Sequence, residues 1–228
     1  MNFKKPCSLS SSPSSKQSRD SESVSKKLVI ATRNAGKIVE FRRILDAISE
    51  GAIELIGIDQ FPELVDVEEI GSTFEENALL KARYTASMTG LPAISDDSGL
   101  CVDALGGWPG IFSARWAGQH GNDEANCVKV LEELKGVGDE NRGAHFICIA
   151  ALVMPDGREK VAEGRFEGTI LHRAIGDQGF GYDPIFLPRG MSISSAQLSA
   201  EEKDAVSHRG KSLRAIAPHV IEMLGGLR

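Results

Sequence analysis

Leu28-Val29-Ile30-Ala31-Thr32 is a run of consecutive, mostly apolar residues that then stops, which fits a short strand buried on both faces. After a polar turn the spacing changes: Ile38, Phe41, Ile44, Leu45 and Ile48 recur with the period of one helix face. A strand that feeds a helix through a short loop opens a sheet with helices packed on it, and this restricts the fold more than any other stretch. A second strand is expected over residues 52–58, followed by an acidic loop over 65–71. Ser72 and Glu75 stand three apart and predict a capping box that opens a helix from about Thr73 to Thr89. A short run over 91–95 ends in Asp96-Asp97-Ser98-Gly99, and residues 122–135 again have helical period. Beyond Gly143 two apolar and aromatic runs, 146–154 and 161–170, flank Pro155-Asp156-Gly157, which predicts a hairpin. A glycine-rich segment over 176–184 precedes Ile185-Phe186-Leu187, and a helix over about 207–224 closes the chain. The expected class is α/β: a mixed twisted sheet with flanking helices, in two lobes around a central cleft.

A chain of 228 residues with 41% apolar content can bury one sizeable core. We expect one catalytic domain over residues 28–228, with two lobes. Residues 1–27 are rich in Ser and Lys with few large apolar residues, which predicts a disordered tail. An organelle-targeting peptide would carry an Arg-rich amphipathic pattern that this segment lacks. A net charge of −6 provides no broad positive field to draw the chain onto nucleic acid or anionic lipid. No apolar stretch approaches the roughly 20 residues of a membrane span. Cys7, Cys101, Cys127 and Cys148 form no CxxC pair, so reduced thiols in the cytoplasm are expected, with neither a disulfide framework nor a zinc site.

Five constellations of residues bring chemistry together, one of them drawn from two separate loops. Thr32-Arg33-Asn34-Ala35-Gly36-Lys37 joins a strand to a helix, where free N–H groups and the helix dipole favour phosphate. It is not a Walker A loop, because Ala31 and Ile38 stand where glycine and a hydroxyl are needed, and an ordinary β-to-α turn would look the same. Asp66, Glu68 and Glu69 in one loop, with Asp96 and Asp97 elsewhere, offer the hard oxygens magnesium prefers. On a continuous strand Asp96 and Asp97 face opposite ways, one to the cleft and one in support, while an Asx-type turn at Asp97-Ser98-Gly99 is the alternative. Asn77 and Lys81 are four apart and share a helix face, where Lys81 either reaches a phosphate or is a solvated charge. Gly179-Phe180-Gly181-Tyr182-Asp183-Pro184 fails as a dinucleotide fingerprint because Pro184 replaces the third glycine. Phe180 and Tyr182 nonetheless offer flat faces for a base, or the segment is a strained turn before a core strand. In Ser207-His208-Arg209-Gly210-Lys211, cations in a first helical turn oppose the dipole, so either a bound ligand or pairing of Arg209 with Glu201 or Glu202 must compensate.

TRNAGK over 32–37, EEIGSTFEENALLKA over 68–82, SDDSGL over 95–100, GFGYDPIF over 179–186 and SHRGK over 207–211, in this order and spacing, closely resemble the inosine triphosphate pyrophosphatase family, as does LGGWPGIFSARWAG over 105–118. The resemblance covers about residues 28–224. It implies a two-lobed homodimer that cleaves ITP, dITP or XTP between the α and β phosphates, yielding a monophosphate and pyrophosphate. It implies that Thr32, Arg33, Asn34, Ala35, Gly36 and Lys37 hold the triphosphate, that Lys81 adds charge beside it, and that Glu68 and Asp97 bind one Mg²⁺. Asp97 is then also the general base, and Ser98, Phe180, Gly181, Tyr182, Asp183, Lys203, His208 and Arg209 contact substrate. Arg33 stands where the family often has glycine. A pyrophosphatase of related fold acting on modified pyrimidine or standard nucleotides, and a nucleotide sensor without hydrolysis, are the other two classes.

Overall fold

Strand β1 (Lys26–Ile30) lies between β2 (Ile53–Gly57) and β3 (Ala93–Val102) and runs parallel to both. The strands β4 (Gly143–Val153), β5 (Glu159–Ile170) and β6 (Phe186–Pro188) then add antiparallel pairings, giving one six-stranded sheet in the order β2-β1-β3-β4-β5-β6. This computed structural model describes Met1 and residues 26–226. The expected tail, with Cys7, lies outside the described residues apart from Met1, Lys26 and Lys27. The last two of these belong to β1, where they pair with Ile53 and Glu54. Strand β1 thus includes two residues before the apolar run, because backbone pairing does not require an apolar side chain.

Alternate residues of β1 point to opposite faces, and each face has its own core. Leu28 and Ile30 pack with Phe41 of helix α1 (Ala35–Ser49) and with Leu213 and Ile216 of helix α5 (His208–Met223). Val29 packs on the other side with Ala78 and Ala82 of helix α2 (Phe74–Thr89). A third cluster joins the far ends of β3 and β4 to helix α3 (Asp123–Glu133) and to β6 through Leu100, Phe146, Val130 and Phe186. The α/β class and the mixed sheet with flanking helices are as expected, and β4 and β5 form the hairpin around Pro155-Asp156-Gly157.

Three local expectations need correction. The cap of α2 is Thr73, which accepts from the Glu76 amide at 3.1 Å, while the Glu76 carboxylate accepts from the Ser72 amide and hydroxyl at 2.7 and 2.8 Å. The reciprocal pattern expected for Ser72 and Glu75 is therefore displaced by one residue. A seven-residue helix, α4 (Ala200–Val206), opened by a Ser199 and Glu202 capping box, precedes α5 and was not foreseen. Strand β3 does not stop at Ser95: Asp96, Asp97 and Ser98 continue the ladder opposite Ala150, Ile149 and Cys148. The Asx-turn alternative therefore fails, since buried cations from other elements let two carboxylates sit in mid-strand.

Candidate active site

The loop between β1 and α1 folds as its sequence asks: the Asn34 carboxamide accepts from the Lys37 amide at 3.1 Å and caps the helix. Arg33 ties this loop to the acidic one through Asp66 at 2.5 Å and the Leu64 carbonyl at 2.6 Å. Gly36 is required for close approach, because a Cβ there would lie 2.9 Å from the Phe180 ring. The Lys37 ammonium reaches inward to Asp96 at 3.0 Å.

Asp96 and Asp97 face opposite sides of β3, as strand geometry requires. Asp96 is fully buried; burial alone would raise its pKa, but Lys37, Arg209 and Lys81 hold the carboxyl far below the usual carboxylate range. Asp97 opens to the cleft. Burial, reinforced by the nearby Glu69 charge, pushes it up to about 6 against the opposing pull of Lys81, Lys37 and Asn77. The shared face of Asn77 and Lys81 is used here. Asn77 donates to Asp97 at 3.1 Å, and the Lys81 ammonium lies 3.8 Å from Asp97 and 2.6 Å from Glu69. The neighbouring carboxylate is thus that of Glu69, half-buried and also 3.7 Å from Arg115. Glu68, the residue expected to bind metal, lines the cleft but is exposed. A tight turn, in which the Ile70 amide donates to the Glu68 carbonyl at 3.0 Å, leaves Glu69 partly buried and Glu68 exposed.

At the other end of the cleft, the loop with Phe180, Gly181, Tyr182 and Asp183 is pinned from three sides. Asp183 accepts from the Phe180 amide at 2.9 Å, the Ser195 hydroxyl at 2.9 Å and the Lys203 ammonium at 2.5 Å. The Gly181 amide donates to Asp123 at 2.7 Å. Tyr182 donates to the Ser113 carbonyl at 2.8 Å and packs in the third core, so it anchors the loop. The Phe180 ring lies beneath the Lys203 ammonium at 4.7 Å and the Arg209 guanidinium at 5.5 Å.

His208 is buried and stacked on Phe146, with centroids 4.8 Å apart. Burial, with Arg209 and Lys203 nearby, holds it neutral. Arg209 does not pair with Glu201 or Glu202. It is almost wholly buried, bridges Glu40 and Asp96, and donates to Ser98 at 2.9 Å. Two carboxylates thus offset the unfavourable placement of a cation in the first turn of α5. Glu40 also lies 3.1 Å from Lys203. Glu40 and Asp123 stand outside the motifs read from the sequence, and Ser113 and Arg115 fall in the 105–118 stretch, where no role was assigned to them. The signal for Glu40 was an acid beside the apolar stripe of α1, three residues after Lys37.

Most of these groups border one cleft of about 510 Å³, with Glu40, Asn77 and Asp96 buried behind its wall. Of the substrate and metal residues expected, Ala35 and Gly36 alone are not on its wall. Among the described residues no group of three or more His, Cys, Asp or Glu is placed to hold a metal ion. Asp97 and Glu69 supply two carboxylates, as suits an ion that takes its other ligands from water and phosphate oxygens.

The chain matches the Ham1 family over residues 28–219. It is 57% identical over 199 residues to a dITP/XTP pyrophosphatase of Streptomyces coelicolor, covering 87% of this chain and 99% of that protein. The Staphylococcus aureus Ham1 protein superposes with a TM-score of 0.76 at 41% identity, over 87% of this chain and 100% of that one. A nucleoside-triphosphatase, or dITP/XTP pyrophosphatase, of Mycobacterium abscessus gives a TM-score of 0.69 at 49% identity, over 84% and 99% of the two chains.

Proposed function

Because the chain belongs to the Ham1 family, we propose that it hydrolyses deaminated purine nucleoside triphosphates, ITP, dITP and XTP, to the monophosphate and pyrophosphate with magnesium. The observation that carries this reading is the cleft itself, with a desolvated carboxylate between lysines at its centre and an aromatic ring under two cations at one end. In this reading the whole of residues 28–228 is one catalytic domain that works as a cytoplasmic homodimer and clears such nucleotides before they enter DNA or RNA.

Asp97, with its pKa near 6, accepts a proton from water, and Asn77 and the Ser98 amide, each donating to one of its oxygens, fix the carboxylate in the cleft. The water oxygen bonds to the α-phosphorus while the bond to the bridging oxygen breaks, and pyrophosphate leaves with the electron pair. Lys37, Lys81 and the amino-terminal turn of α1 hold the triphosphate and stabilise the charge that develops. Asp97 and Glu69, with Glu68 beside them, would hold Mg²⁺, which when bound neutralises phosphate charge. Arg209 spends four of its five N–H groups on Glu40, Asp96 and Ser98, which locks its plane and leaves one for a substrate oxygen. A rigid donor of that kind suits the 6-oxygen of hypoxanthine or xanthine and opposes the 6-amino group of adenine.

The test is a panel of ITP, XTP, GTP, ATP and a modified UTP, with pyrophosphate and monophosphate both measured. Release of equimolar IMP and pyrophosphate from ITP, with little turnover of ATP, is expected. Binding without product would make the chain a sensor, and preference for the modified UTP would place it in the related-fold class.

A further inference from the structure

The stretch Leu105 to Gly118 has no part in the chemistry above, yet it brings Arg115 to the cleft beside Glu69. Its backbone is held with unusual care. The Ser113 hydroxyl accepts from the Leu100 amide at 2.9 Å and donates to the Gly110 carbonyl at 2.6 Å, while the Ser113 carbonyl accepts from Tyr182. Gly99, two residues beyond Asp97, lets the segment lie flush on β3, since a Cβ there would collide with the Gly110 carbonyl and would lie 2.5 Å from the Ser113 hydroxyl. On the far side Asn126 accepts from the Ala117 amide at 2.7 Å and donates to the Ala114 carbonyl at 3.4 Å.

The side chain so positioned has no strong partner. Lys37, Lys81, Lys203, Arg33 and Arg209 each have an oxygen within 3.2 Å. Among the described Arg and Lys residues of the cleft, Arg115 alone has none in hydrogen-bond range: Glu69 is 3.7 Å away, and the guanidinium rests over the Phe112 ring at 5.2 Å. It is also about one-third exposed. A rigid backbone carrying a charged fork with unspent donors is the arrangement of a ligand-binding arginine, and a planar fork matches phosphate oxygens in pairs.

Contacts order the cleft from Phe180, Lys203 and Arg209 at one end, through Lys37 and Asp97 with Asp96 buried behind them, to Lys81, Glu69 and Arg115 at the other. A nucleotide with its base at the first end and its α-phosphorus beside Asp97 extends its terminal phosphates toward the second. We propose that Arg115 binds the β and γ phosphates of the substrate, and thus the departing pyrophosphate, a role that rests on the functional reading above.

The full chain and its Arg115→Ala, Arg115→Gln and Arg115→Lys variants are titrated with pyrophosphate and separately with IMP by calorimetry in magnesium buffer, and assayed with ITP. Loss of charge-assisted bonds is expected to weaken pyrophosphate binding about 10- to 100-fold in the Ala and Gln variants, and less in the Lys variant. IMP binding should stay within about twofold of the parent, and kcat/KM for ITP should fall by a factor like that for pyrophosphate. Unchanged pyrophosphate affinity overturns the assignment. So does an equal loss for pyrophosphate and IMP, which would mark Arg115 as a prop for the cleft wall. A parent chain that binds neither ligand and releases no pyrophosphate from ITP defeats the functional reading, and this inference with it.

Discussion

Asp96 and Asp97 share a strand, a residue type and nearly the same burial, and their surroundings drive them to opposite protonation behaviour. Burial raises the Asp97 pKa from its ordinary 3.8 to about 6, so the folded chain holds that proton more tightly than the unfolded chain does. Its contribution to stability is fully present below pH 3.8 and is lost as pH rises through about 6, where the ionised group becomes a burden on the order of 3 kcal/mol. Asp97→Asn, melted in chelator, should therefore exceed the parent in Tm at pH 8 and match it at pH 4; equal melting at pH 8 would show that Asp97 is not strained. The same variant should still bind ITP yet lose about 10² to 10⁴ in turnover, as follows from removing a general base. Asp96 has the opposite sign. Its depressed pKa gives stability that is present above the ordinary carboxylate value and lost as pH falls. Asp96→Asn leaves Lys37 and Arg209 short of a buried partner, so a loss of about 3 to 5 kcal/mol in urea denaturation at pH 8 is expected.

Elements with a strong period were legible in the sequence: α1 from its apolar stripe, and the β4–β5 hairpin from Pro155-Asp156-Gly157. The continuation of β3 through Asp97 was not, because local propensity treats Asp and Gly as strand breakers, whereas the cations that satisfy these acids come from α1, α2 and α5. Tyr182 likewise carries no local sign that Ser113 will take its hydroxyl. Packing of one element on another also yields a test at Gly36, where α1 and the Phe180 loop meet. Gly36→Ala places a methyl group 2.9 Å from the Phe180 ring, and must shift either the start of α1 or that ring. KM for ITP is expected to rise several-fold, and the effect should largely vanish in a Phe180→Ala background, since contacting residues are energetically coupled. Equal effects of Gly36→Ala in both backgrounds would place its action elsewhere.

Across the whole molecule, the site residues named from separate segments prove to be links in one buried chain of alternating charge: Lys37, Asp96, Arg209, Glu40, Lys203, Asp183. Three acids and three bases balance, and the series runs from Lys37, after the β1–α1 turn, to Asp183, in the loop that carries Phe180. The ends of this chain were legible because loops with lysine, glycine and aromatic residues carry local signatures. Glu40 was not, because a lone glutamate on a helix is ordinarily a solvated charge and its partners lie 163 or more positions away. Arg209 and Lys203 gain a carboxylate in Glu40 that water would otherwise have to replace, and burial withholds the water. The two cations hold Glu40 below the usual carboxylate range although burial alone would raise it. Glu40→Gln should therefore cost about 3 kcal/mol or more in urea denaturation at pH 7.5, as does removing one partner from a buried ionic cluster. Glu159→Gln, which breaks the exposed pair with Arg83, should cost less than about 1 kcal/mol. If the two variants lose the same stability, the buried chain contributes no more to the fold than an ion pair on its surface.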